Sequence, residues 1–169
     1  MFTDKMLKNM RIYLLTVSLS LLTNSIAQEN PVSVALEIYV VSDVTAADGS
    51  ISQRFEQADS ARPGQTVEYR LIVTNQDTTT LPEGTVVVTG PVPESTTFIA
   101  NSATPSSSDV LTEYSLDGST FNEPPLFTTN DSSEQVTADP SSYRAVRWTL
   151  LTPFEPAGQA TLVYRVTVE

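Results

Sequence analysis

Eight oxygen-bearing side chains fall in three short clusters and define the first chemistry this chain could attempt. "SDVTAADGS" carries Asp43 and Asp48, "EQADS" carries Glu56 and Asp59, and "NDSSEQVTADP" carries Asn130, Asp131, Glu134 and Asp139. Calcium suits such groups because it takes about six to eight oxygen ligands. None of the clusters follows the EF-hand spacing, however, and acidic loops in an acidic chain ordinarily stay solvated. A calcium- or carbohydrate-dependent ligand-binding module is therefore the second functional reading.

The residues that are missing narrow the chemistry further. The chain has no His and no Cys, which removes Ser-His and Cys-His nucleophile pairs, disulfides and nearly every zinc or copper site. Paired carboxylates, as in glycoside hydrolysis, need two acids about 5–10 Å apart, one of them with a raised pKa. Nothing in the sequence isolates such a pair among the 20 Asp and Glu. No catalytic residue, metal ligand or cofactor site is assigned, and the chain is not expected to be an enzyme.

Two single residues invite a functional role but fit a structural one. Trp148 alternates in phase with Val146 and Leu150, which predicts core burial rather than a sugar platform. Asn75 ends an apolar run and opens "NQDTT", where Asn side chains bond nearby backbone. Asn130-Asp131-Ser132 matches a glycosylation acceptor triplet, a pattern that also arises by chance.

Positioning any of these residues requires a folded domain, and the N-terminus is set aside first. Lys5, Lys8 and Arg11 precede the apolar run Ile12–Thr23, and Ser25 and Ala27 are small residues at a cleavage site. Residues 1–27 read as a cleaved secretory signal peptide, too short and interrupted for a membrane span. A membrane contact is expected only through an uncleaved leader. The mature part, 28–169, is expected to be exported: extracellular, at the cell surface or in the periplasm. Losing three cations and one acid takes the net charge from −11 to −13, and no Lys remains after Lys8. Loss of Lys removes Schiff-base and Lys–Asn isopeptide chemistry, and the charge disfavours a nucleic-acid partner.

The mature residues alternate apolar and polar over short runs, the signal of half-buried strands. "TVEYRLIVTN" turns Val67, Tyr69, Leu71 and Val73 one way and Glu68, Arg70 and Thr74 the other. "RAVRWTLL" and "ATLVYRVTV" repeat the pattern with Trp148 and with Leu162, Tyr164, Val166 and Val168. "TVVVTG" and "TTFIA" are shorter, and "SVALEIYVVSDV" reads as a first strand able to pair at an edge. Pro63-Gly64 suits a type II turn and Asp117-Gly118 a type I′ hairpin. The expected fold is all-β, a single antiparallel β-sandwich. Residues 101–143, rich in Ser, Thr, Asp, Asn and Pro, read as a long polar connection with one hairpin at "LTEYSLDGSTF" and mobile flanks. No repeat period is visible.

The string "PGQTVEYRLIVTNQ…VVVTGPVPESTTFI" resembles the bacterial surface module called domain of unknown function eleven, or conserved repeat domain. Pro63-Gly64, Tyr69 to Asn75, Val86 to Val88, Pro93 and Thr96 to Phe98 carry the resemblance. "YSLDGSTF" and "YRAVRWTL…PAGQATLVYRVTV" extend it over roughly residues 34–168. The resemblance implies an immunoglobulin-like (Greek key) sandwich in an exported or surface-attached protein, without catalysis. Gly90 stands where that family usually has Asp, and glycine there permits a positive φ.

The motif "LPEGT" (81–85) approximates a cell-wall sorting signal, but it lies mid-domain with Gly84 before Thr85 and reads as an inter-strand loop. The leading expectation is a non-enzymatic structural or adhesive interaction module at or outside the bacterial surface. Its partner would be a protein or surface glycan, met through strand edges or the polar connection, with self-association through edge strands as a further route.

Overall fold

The structure is a computed structural model and describes residues 31–169; the leader reading (1–27) lies outside the described residues. Ten strands follow in order: β1 (Val32–Thr45), β2 (Ile51–Gln57), β3 (Thr66–Asn75), β4 (Val87–Pro91), β5 (Thr96–Phe98), β6 (Val110–Ser115), β7 (Phe127–Thr129), β8 (Gln135–Thr137), β9 (Ala145–Leu150) and β10 (Gln159–Val168). One sheet has the order β2-β1-β3-β10-β5, a second β4-β9-β6, and β7 and β8 form a separate hairpin. Every pairing is antiparallel. The chain is therefore all-β, with two antiparallel sheets packed face to face.

The period-two pattern builds the shared core. Val67, Leu71 and Val73 of β3 and Leu162, Tyr164 and Val166 of β10 are buried against Val146, Trp148 and Leu150 of β9. Each large side chain so buried contributes roughly 1.5–3 kcal/mol. The two polar tips in this layer are satisfied: the Trp148 indole N–H donates to the Thr104 carbonyl at 3.1 Å, and the Tyr164 hydroxyl donates to the Pro91 carbonyl at 2.6 Å.

The turns follow local chemistry, with two corrections. Gly64 has φ 82° and Gln65 N–H donates to the Arg62 carbonyl at 3.1 Å, as a type II turn at Pro63-Gly64 requires. "LPEGT" is a loop: Leu81 bridges Phe154, Gly84 takes φ 73°, and the chain enters β4. Asp117-Gly118, by contrast, is no type I′ pair. Gly118 alone is left-handed (φ 80°), and the loop is wider, closed by two bonds of 2.9 and 3.0 Å between Tyr114 and Asn122. Gly90 lies in β4 without a positive φ, so conformational freedom is not what selects it. A Cβ there would sit 2.7 Å from Tyr164 Cε1 and 3.2 Å from Trp148 Cζ3, and an Asp side chain has no room.

Residues 101–143 are more ordered than their composition suggests. β6 joins the smaller sheet beside β9 and folds back at the Tyr114–Asn122 bridge, and a second hairpin forms at β7–β8, within the flank expected to be mobile. β2 was hidden in the sequence because all seven of its residues are exposed, so burial imposes no alternation on "ISQRFEQ".

Gly90→Ala is expected to destabilise the fold by about 1–3 kcal/mol, because Tyr164 and Trp148 are both buried and cannot yield. Urea unfolding followed by tryptophan fluorescence measures this; an unchanged midpoint would contradict the close approach.

Candidate functional site

The five-stranded sheet is wider than the three-stranded sheet laid on it, and the excess lies under β1. In β1, Val34 and Leu36 stand opposite Val73 and Leu71 and so point to the core face. Yet they are 48% and 56% exposed, because β4, the edge of the smaller sheet, stops short of covering them. An open cleft of about 440 Å³ lies between β1 and β4, lined by Val32, Val34 and Leu71 and by residues 85–89. Val87, on the outer side of β4, is 51% exposed as well.

Both lips carry free backbone groups. Leu150 N–H donates to Val86 O at 3.0 Å and Val92 N–H to Arg144 O at 2.8 Å, which fixes the phase of the β4–β9 ladder. Antiparallel alternation then turns the N–H and C=O of Val87 and Thr89 to the open side. On β1, Gln76 N–H donates to Pro31 O at 2.8 Å, so Val34 and Leu36 turn theirs away from β3. β2 covers β1 only from Ile38 onward, where Ala58 N–H donates to the Ile38 carbonyl at 3.1 Å. The free edge of the first strand is thus its N-terminal half. The β4 edge was not foreseen, although the unbroken run Val86-Val87-Val88 was its signal, since one of three successive valines must face away from the core.

The outer face of the larger sheet holds a second constellation. Glu68 alternates outward on β3 yet is only 4% exposed. Its two carboxylate oxygens accept from Arg70 Nε at 2.6 Å and Arg165 Nε at 2.7 Å, Arg165 being its direct neighbour on β10. Tyr39 on β1 also stands opposite Glu68, and Phe55 on β2 opposite Val41. The Arg70 guanidinium lies 4.4 Å from the Tyr39 ring centre and 4.9 Å from that of Phe55, which completes the cover over Glu68. The Tyr39 phenol pKa is raised, first by its hydrogen bond to the Glu37 carboxylate. This cluster ties four strands together through satisfied charges.

The acidic clusters do not converge. Among the described residues no three His, Cys, Asp or Glu side chains are placed to hold a metal ion. Asp48 accepts from Ser50 N–H and Oγ, and Asp139 caps the short 3-10 turn Pro140–Ser142 through Ser141 N–H. Asn130 accepts from Ser132 and Glu134 N–H inside the β7–β8 hairpin loop. A cleft of about 520 Å³ beside the 115–121 loop is lined in part by Asp117 and Glu123. Asp117 accepts from Ser119 and Thr120 N–H at 2.7 Å each, bonds that hold its carboxyl well below the usual carboxylate range. Trp148 is fully buried, and Asn75 is a cap: its Nδ2 donates to the Thr79 and Phe154 carbonyls while its Oδ1 accepts from Asp77 N–H.

Comparison of the chain with protein-family models, with curated proteins and with solved structures finds no match.

Glu68→Ala leaves two guanidiniums facing each other without their shared anion and is expected to cost about 1–3 kcal/mol. Arg54→Ala removes a pair between well-exposed side chains, Arg54–Glu56, and is expected to change stability by less than about 0.5 kcal/mol. Chemical denaturation of both variants makes the comparison. The Asp117 carboxyl is lowered on folding from an ordinary value of 3.8, so its stabilising effect is present at neutral pH and is lost as pH falls below that value. The gap in Tm between the native chain and Asp117→Ala should accordingly narrow on acidification; a gap that widens would reverse the assignment.

Proposed function

We propose that the chain is an exported, non-enzymatic interaction module of immunoglobulin-like topology, working at or outside a bacterial surface through the open seam between β1 and β4. The observation that carries this reading is the coincidence of exposed apolar side chains and unpaired backbone groups at Val34, Leu36 and Val87. A long apolar edge is ordinarily blunted by Lys, Pro or a covering segment. Among the described residues the seam has none of these along Val34–Leu36 or Val87–Thr89, which is what an edge kept for pairing requires.

Connectivity supports the immunoglobulin-like part of the proposal. The chain leaves the larger sheet after β3, returns at β5, crosses again to β6 and crosses back between β9 and β10. Repeated crossing between two antiparallel sheets is the habit of Greek-key sandwiches. The motif positions quoted above, with Tyr69–Asn75 on β3 and Thr96–Phe98 as β5, fit the conserved repeat domain pattern. A basic, apolar, small-residue leader supports export.

Purified mature protein should be retained on envelopes of the bacterium that makes it. The double substitution Leu36→Lys and Val87→Lys should abolish retention while shifting stability by less than about 1 kcal/mol, since both positions are exposed. Retention insensitive to these substitutions, or turnover of a substrate by homogeneous protein, would overturn the proposal.

A further inference from the structure

We infer that the seam receives one extended segment of another polypeptide, with alternating apolar side chains and Lys or Arg at its flanks, which adds to the small sheet as a fourth strand beside β4. The inference rests on the seam being the working surface, as proposed above, and names what fills it.

Geometry sets the pairing partner and the pattern. Val87 and Thr89 offer two N–H and two C=O groups along the free side of β4. That ladder has fixed ends: Pro91 has no N–H, its carbonyl already accepts from Tyr164, and the Pro82–Thr85 turn closes the other end. A strand laid there turns alternate side chains inward over Val34 and Leu71, where the lining is mostly apolar, with Thr85 and Thr89 at its edge. The intervening side chains face outward in line with Thr89 and Arg147, where polar groups stay solvated. Strand addition gains affinity from the backbone bonds and specificity from these alternate contacts.

Charge selects the class of segment. No charged residue lines the seam itself. Its rim is acidic: Glu83 lies in the turn before Thr85, and Asp77 follows Gln76, which is bonded to Pro31. The cations near the sandwich faces are engaged, Arg70 and Arg165 with Glu68 and Arg147 with Glu113. Cationic flanks on the incoming strand therefore meet the Glu83 and Asp77 carboxylates. A second copy of this chain fits poorly, since it has no Lys after Lys8 and carries a net charge of −11.

The test uses a synthetic peptide of alternating Val and Thr between flanking lysines, with two controls: a scrambled peptide of the same composition and a version flanked by Glu. Calorimetry should show the alternating, Lys-flanked peptide binding one per chain, with the controls weaker by at least roughly tenfold. Amide exchange at Val87 and Thr89 should slow when it binds. Thr89→Pro removes an edge N–H without entering the β9 ladder and should weaken binding by roughly tenfold; a matched circular dichroism spectrum and Tm establish that it folds, and Leu36→Lys serves if it does not. Equal binding of the scrambled peptide, or unchanged exchange at Val87 and Thr89, overturns the inference. A concentration-dependent dimer lost in Thr89→Pro, with no peptide binding, makes a second copy the occupant: it overturns the inference and leaves the interaction module standing. If envelope retention is also insensitive to Leu36→Lys and Val87→Lys, both readings fail.

Discussion

A sheet of three strands cannot cover a sheet of five, and most of this molecule follows from where the shortfall is placed. Buried backbone must be paired and apolar faces must be covered, so the uncovered strands have to be served by something other than the opposing sheet. On the β5–β6 side the connection between those strands serves. Ala103 is buried there, and Thr104 N–H donates to the Val163 carbonyl at 2.9 Å while its own carbonyl accepts from Trp148 Nε1 and Thr112 Oγ1. Ile99 and Ser102 bond to Arg165 in the same way. Phe98, Tyr114 and Tyr143 then close that side with ring centres 4.9–5.7 Å apart. On the β1–β4 side no described segment does the corresponding work.

The asymmetry explains why one tryptophan has so much influence. Trp148 sits in the middle strand of the smaller sheet, so it packs under both halves of the larger one, and its indole N–H anchors the connection that seals the closed side. Gly90 lets the β4 backbone approach Trp148 and Tyr164 more closely than any side chain there would allow.

How much of this was legible in the sequence depends on how strongly burial imposes a period. β3, β9 and β10 face a covered core, so their alternation is plain and their inward residues can be read directly. β2 is an edge strand with exposed residues on both faces, so burial imposes no period on it. β6 has the alternation Thr112 and Tyr114, but its polar neighbours and the Asp117 loop make it look like part of a hairpin. Glu68 shows the deeper limit: a carboxylate on an outward position predicts a solvated charge, and its burial depends on Arg165 from a strand 97 residues away. The candidate site was half-readable for the same reason. An apolar first strand suggests an edge, but exposure of Val34 and Leu36 follows from the number of strands opposite, a quantity that local periodicity does not contain.

An open apolar seam is an aggregation hazard unless something opposes self-pairing. In most sheets the opposition is local, through Lys on the edge, a bulge or a short strand. This chain puts no Lys on the lips, keeps the β4 edge short, ending at Pro91, and places the rest of the opposition in its overall charge. With 20 acids against 9 bases, two copies repel before their edges meet, and Glu83 and Asp77 bring part of that repulsion to the rim. Repulsion of this kind is indifferent to the shape of the seam and selective only for the sign of the visitor. A basic strand is attracted by the field that keeps like copies away, so one charge distribution both protects the edge and chooses what may pair with it.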